Sequence, residues 1–262
     1  MPQSPLISIL TPSYNQGPFI EQTIQSVLAQ NDSCVEHIVI DGGSTDETVA
    51  ILTRYPHLKW ISEKDRGQGD SLNKGLAMAT GELVGWINSD DFYAPDVFRR
   101  VRQAFEDRSV RWLIGDVVNY YQASTAEHCV PSPTVTYERL IHDPDILRQQ
   151  GAFFRADLLR EVGGWDPELY MVMDLDLWLR MARIQAPVML HEKTAFWRMH
   201  PDQKSGLARH GLQTREIDRV LGRYGVPTAI RFRHRAKKYY WWLKGMVKLG
   251  LQNAGILDTA SA

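Results

Sequence analysis

Polar residues able to do chemistry recur at the ends of short apolar runs in the N-terminal third of the chain. Tyr14 and Asn15 follow LISIL, Asp41 follows HIVI, Glu63 and Asp65 follow LKWI, and Asn88-Ser89-Asp90-Asp91 follows LVGWI. One such loop is ordinary turn chemistry, because Asp, Asn and Ser side chains bond their own backbone. Four converging loops are different. Carboxylates massed at one rim repel one another, and the pattern makes physical sense when a divalent cation or a donor-rich ligand sits among them. A second acidic pair lies in MVMDLDLWLRMA, where Asp174 and Asp176 are two positions apart. On a helix they point about 200° from each other, so one faces a cleft while the other caps or meets solvent.

The loops converge only if the runs that carry them lie side by side. Residues 6–10 read as a buried strand, TPSYNQG as a turn, and 19–29 as a helix with Phe19, Ile20, Ile24, Val27 and Leu28 at helical spacing. The unit repeats: a strand at 37–40 ends in Asp41-Gly42-Gly43, and Ser44-Thr45 caps a helix through Leu52. A strand at 58–61, a helix at 71–79 and a strand at 83–87 complete the series. Such alternation implies a parallel sheet with helices on its faces, and ligands then bind beyond the carboxyl ends of the strands. The second half is less regular. Residues 112–121 read as a strand paired with 130–137, 156–162 as a helix closed by Gly163-Gly164, and 173–182 as a helix.

At this point the chain resembles the family 2 glycosyltransferases, the inverting class with the GT-A fold. The resemblance runs from about residue 6 to 205 and rests on ILTPSYNQG, VIDGGSTDET, EKDRGQGDSLNKG, ATGELVGWINSDDFYAPD, VGGWDPELYMVMDLDLWLRMA and FWRMHPDQKS in that order. It implies a Rossmann-like, mostly parallel α/β sheet with a catalytic domain over 1–208, nucleotide-binding over about 1–95 and acceptor-facing over 96–208. It also implies a nucleoside-diphosphate sugar donor, a glycan or lipid-linked acceptor in cell-envelope or exopolysaccharide synthesis, and Mg2+ or Mn2+. Pro12, Tyr14 and Asp41 would hold base and ribose, with Asp65 and Gln68 lining the same site. The DxD metal motif falls on Asn88-Ser89-Asp90; Asp90 keeps the metal-binding position, while Asn88 in place of an acid removes one charge and contacts donor, with Ser89 beside it. His200 is the implied second metal ligand, Arg198 and residues 202–205 would lie beside the phosphates, and Asp174 is the implied catalytic base. Gln149 and Gln150 sit where relatives approach the acceptor. Trp178 reads as core packing, and Asp91 as the cap of the turn before Pro95.

Charge and composition narrow the alternatives. The net charge of −1 conceals a body, 1–208, with 19 Lys+Arg against 28 Asp+Glu, and a stretch, 209–250, with 11 against 2. Only two cysteines, in no metal-ligand spacing, give neither a disulfide framework nor a zinc site, so a reducing cytoplasm is expected. No run of apolar residues is long enough to span a bilayer. Residues 209–262 form a basic, aromatic helical extension. Within it, 231–249 combine seven Lys/Arg with Phe232, Tyr239, Tyr240, Trp241 and Trp242, a composition that suits peripheral contact with the inner face of an anionic membrane. It equally suits a helix packed on the catalytic domain or on a second subunit of a homodimer. No nucleic-acid motif accompanies the charge. A sugar nucleotidyltransferase would need a basic, glycine-rich loop after the first strand, which TPSYNQGPF lacks; a non-catalytic sugar-nucleotide-binding protein is the other alternative.

Overall fold

The apolar runs of the N-terminal third become four parallel strands: β1 (Ile7–Ser13), β2 (Val35–Asp41), β3 (Lys59–Ser62) and β4 (Leu83–Trp86). The computed structural model describes residues 6–205 and 209–253, so 206–208 and 254–262, which end the expected domain and extension, lie outside the described residues. β1 is buried along its whole length, as a parallel strand covered on both faces must be. One face is covered by α1 (Gly17–Leu28) and α2 (Thr48–Leu52), whose Ile20, Ile24, Ile51 and Leu52 pack with Val39. On the other face α3 (Gln68–Met78) packs Leu72 and Leu76 on Leu10, Ile38 and Ile40. β2 and β4 flank β1 on opposite sides. That reversal of direction in the strand order opens a crevice beyond the carboxyl ends of β1 and β4, where open α/β sheets bind ligands.

The sheet then becomes mixed. Beyond β4 it continues through β8 (Ala152–Arg155), β6 (Trp112–Tyr121), β9 (Val188–Met199) and β5 (Phe92–Tyr93), with β7 (Ala126–Val130) paired to β6. β8 is antiparallel to both neighbours, whereas β6 and β9 run parallel with a register shift between Gly115 and Val117. The helices of this half are α4 (Val97–Ala104), α5 (Tyr137–His142), α6 (Ala156–Glu161) and α7 (Met173–Ile184). After them come α8 (His210–Arg223) and α9 (Thr228–Asn253). Trp178 on α7 stacks on Trp112 and Phe154, with ring centroids 5.5 and 5.7 Å away. The same core takes Ile217, Val220 and Leu221 from α8, so α8 is built into the body and α9 alone projects from it with a largely exposed face.

Three local expectations change. Ser44 and Thr45 do not cap α2, which starts at Thr48; the Ser44 hydroxyl is bound to Asp41, and Asp46 instead accepts from the backbone N–H of Gly17 and Thr48. The strand paired with β6 is Ala126–Val130 rather than 130–137. Pro131 and Pro133 lack the N–H that would extend the ladder, and Ser132 leaves it to donate its N–H to Asp116. α3 begins at Gln68, three residues early, because Gly67 adopts φ 113° and turns the chain into the helix. Gly163 and Gly164 do close α6 with positive φ, and a Cβ on Gly164 would lie 2.3 Å from Asn73 Oδ1.

Candidate active site

The turns leaving β1 and β4 form two walls of a cleft of about 320 Å³. Pro12 lies along it, Tyr14 stands at its rim 60% exposed, and Asp65, Gln68, Asn88, Ser89 and Asp90 complete it. Asp65 accepts from the Ser71 hydroxyl and from the Gly67 N–H at 2.8 Å. Asp41 is placed elsewhere. It is fully buried, does not line the cleft, and its oxygens accept from Ser62 Oγ at 2.6 Å, Ser44 N at 2.9 Å and the Ser44 hydroxyl. Its visible work is to pin the turn after β2.

Asn88 explains why an amide stands where an acid was expected. Its Oδ1 accepts from Gln68 Nε2 at 2.6 Å and Trp86 Nε1 at 3.0 Å, while its Nδ2 points at Asp91 Oδ2, 3.4 Å away. An amide accepts on one side and donates on the other, as an ionised carboxylate cannot, and a carboxylate here would face the carboxylate of Asp91. Asp91 does not cap the turn before Pro95. Fully buried, it accepts from the Arg198 N–H and from Gln150 Nε2, both at 2.9 Å, and so ties β9 and the turn before β8 to the cleft. Burial, with Asp90 next to it, pushes its carboxyl well above the usual carboxylate range. Gln150 is thereby a brace; Gln149, in the same turn, is buried with neither amide atom partnered, and lines a second cleft.

Asp90 and His200 come together although 110 positions separate them: His200 Nε2 lies 3.3 Å from Asp90 Oδ2. The imidazole is fixed against Phe19, 4.4 Å between centroids, and its Nδ1 is buried without a partner. Arg198 is not turned to the cleft; its guanidinium donates to the Asp90 carbonyl at 2.8 Å and to Gln22 Oε1 at 2.5 Å, a second-row support beneath the pair. A carboxylate and an imidazole are few donors for a metal. They fit Mg2+ or Mn2+ when most positions go to phosphate oxygens and water, as these ions accept. Among the described residues no cluster of three or more His, Cys, Asp or Glu could hold a metal alone.

The second cleft, about 180 Å³, shares Gln68, Asn88, Asp90 and Lys204 with the first. Asp174 lies in its wall, in the first turn of α7, with Oδ1 accepting from the Leu175 N–H at 2.9 Å. Burial, reinforced by the Asp145 charge, raises its carboxyl to about 6. Asp176 faces the other way, paired with Arg180 at 2.8 Å and accepting from Tyr224 Oη at 3.0 Å. Lys204 reaches over the junction of the clefts, donating to Gln68 Oε1 at 2.8 Å with its ammonium 4.3 Å from the Tyr170 ring centroid. Burial brings its pKa down to about 8, against the opposing pull of Asp174.

Sequence reasoning singled out neither Arg148, whose guanidinium lies 4.8 Å over the Trp197 ring in this cleft, nor Asp145 and Glu216. Glu216 accepts from the N–H groups of Tyr170, Met171 and Val172 and so fixes the entry to α7. No short motif marks these residues, and only packing brings Arg148 and Asp145 to the cleft and Glu216 to the loop behind it.

The family model described as Glycosyl transferase family 2 matches residues 8–154. The chain belongs to this family. An uncharacterized glycosyltransferase of Mycobacterium tuberculosis is 32% identical over 194 residues, covering 72% of this chain and 73% of its own. Among solved structures, this family 2 chain is similar to S. aureus TarS 1-349 in complex with UDP, with TM-score 0.63, 20% identity and coverage of 82% of this chain. It spans 64% of that chain. It is also similar to the mannosyltransferase PcManGT from Pyrobaculum calidifontis, solved with GDP-Man and Mn2+, with TM-score 0.65 and 19% identity over 99% of this chain and 78% of that one. At these identities the structures establish the fold, which is GT-A.

Proposed function

We propose that this family 2 glycosyltransferase moves a sugar from a nucleoside-diphosphate donor to a hydroxyl acceptor with inversion, and that Asp174 is its base. One observation carries the reading: the Asp174 carboxyl, held near 6, faces a cleft that meets the nucleotide-sized cleft at Asp90. A base poised near the working pH can take the acceptor proton as the hydroxyl attacks the anomeric carbon from the face opposite the leaving nucleotide. In this reading the first cleft is the donor site. Tyr14 and Pro12 flank the base, Asp65, Gln68, Asn88 and Ser89 meet ribose and phosphates, and Asp41 acts from behind by holding the turn. Neighbours bound to UDP and to GDP-Man support a nucleotide donor of this size.

Asp90 and His200 would hold Mg2+ or Mn2+. The ion, when bound, would offset the negative charge that grows on the departing diphosphate. Lys204 adds a cation at the same junction. On the acceptor side, Gln149 offers a buried amide with no protein partner, and Trp197 beneath Arg148 offers a flat apolar wall for a sugar ring or lipid-linked glycan. An acceptor in envelope or exopolysaccharide synthesis accords with this wall and with the motifs.

The test is thermal stabilisation by UDP-, GDP- and dTDP-sugars with and without Mn2+, followed by NMR of the anomer formed from the stabilising donor. One nucleotide should raise the melting temperature in a metal-dependent way, Asp90→Asn and His200→Gln should abolish the metal-dependent part, and the product should have the inverted anomer. A retained anomer overturns the mechanism, and donor binding with no turnover under any acceptor would make this a sugar-nucleotide-binding protein.

A further inference from the structure

Seven of the twelve large apolar or aromatic side chains exposed among the described residues lie on α9. The helix meets the body along one stripe. Arg231, His234, Lys238 and Trp242, at i, i+3, i+7 and i+11, are among its less exposed residues. His234 Nε2 lies 2.8 Å from the Ile141 carbonyl, Lys238 pairs with Asp145 at 2.5 Å, and Trp242 packs on His210. The opposite arc carries Phe232, Ala236, Tyr239, Tyr240, Leu243 and Val247, all exposed and spaced three or four apart, so they form one continuous apolar strip. Arg233 and Lys244 border the strip on one side and Arg235 on the other.

Charge decides between the surfaces that could cover this strip. Between Asp218 and Asp258 the chain contains no Asp or Glu. A second copy laid along the strip would bring Arg233, Arg235 and Lys244 against the same cations, with no acid on α9 to answer them. An anionic lipid surface answers them everywhere, and lets the apolar and aromatic side chains enter the interface between headgroups and acyl chains. We infer that the outward face of α9 docks this protein on an anionic phospholipid bilayer.

Docking has a consequence for the acceptor. From the Asp174 cleft a groove of about 500 Å³ runs past Asp145, Arg148 and Trp197 and ends along α9 between Lys237, Trp241 and Trp242. With α9 on the bilayer, the groove would open beside the docked helix, on its flank turned to the body, within about a helix diameter of the headgroups where an acceptor carried on a lipid presents its polar end. The docking itself stands apart from the transfer reaction and is tested without it.

The experiment is flotation of the full chain with vesicles of 7:3 phosphatidylcholine:phosphatidylglycerol and of phosphatidylcholine alone. Binding should require phosphatidylglycerol and weaken with added salt. Arg235→Gln/Lys244→Gln should lower partitioning about thirtyfold, at about fivefold per charge. Phe232→Ser/Leu243→Ser should also release the protein. Both double variants lie away from the clefts and should keep the parent melting temperature and donor binding. Three results overturn the inference: equal binding to both vesicles, no binding, or variants that bind as well as the parent. So does a dimer in solution that Phe232→Ser/Leu243→Ser dissociates, because a second copy then covers the strip.

Discussion

Replacing Asp174 by Asn should make the protein both inactive and more stable, and the two effects have one cause. A carboxyl that titrates near 3.8 in the unfolded chain and at about 6 in the folded one is harder to ionise once folded. Ionising it therefore costs folding free energy. The cost is absent well below pH 3.8, where both states are protonated, grows as pH rises through that value, and is complete above the folded pKa, at about 3 kcal/mol as an upper bound. Asn keeps the shape and can still accept the Leu175 N–H at 2.9 Å, but carries no charge to desolvate. Asp174→Asn should therefore melt about 6–12 °C higher than the parent at pH 8 and within a degree or so of it at pH 4. Scanning fluorimetry across that range measures the difference without any substrate. Nucleotide release from the donor identified by thermal shift should fall about 10²–10⁴-fold, the usual worth of a general base, with donor binding unchanged. Full turnover in the variant would remove Asp174 from the reaction. A melting difference that does not grow with pH would show that the carboxyl is not desolvated, and the poised-base reasoning would fail with it.

Other outcomes follow from the same contacts. In the parent, kcat should rise about tenfold between pH 5 and pH 7 as Asp174 ionises; Asp145→Asn removes a charge that raises this carboxyl, so a pH–rate profile should show the rising limb displaced to lower pH. Glu216→Ala leaves the Tyr170, Met171 and Val172 N–H groups without their acceptor, and urea unfolding should show a loss of about 2–4 kcal/mol, with Glu216→Gln recovering part of it.

The fold was legible because its signal is local. LISIL, HIVI and LVGWI are too short and too apolar to be anything but buried strands between helical segments, and polar residues after each one mark the edge of a sheet that binds something. Helical angle alone also put Asp174 and Asp176 on different faces, and Asp174 does line a cleft; Asp176, expected to cap or meet solvent, is instead buried against Arg180 and Tyr224. It was less successful where a side chain had two partners to choose from. Asp41 and Asp65 follow neighbouring strands and look alike in the sequence, yet Asp41 is consumed by Ser44 and Ser62 while Asp65 lines the cleft. Asp91 looked like a turn cap because Pro95 follows it; its partners, Arg198 and Gln150, come from 107 and 59 positions away.

By itself, then, the sequence determined which residue types stand at each strand end, the order of strands and helices, and the cationic, acid-free character of α9. Tertiary structure alone decided which of those residues meet. The Asp90–His200 pair, the reach of Lys204 to Gln68, the Asp145–Lys238 bridge and the stacking of Trp178 on Trp112 all join segments that share no local signal. The physical reason is range: hydrophobic periodicity and turn chemistry act over a few residues, whereas desolvation, ion pairing and close packing act between whichever surfaces the folded chain brings into contact.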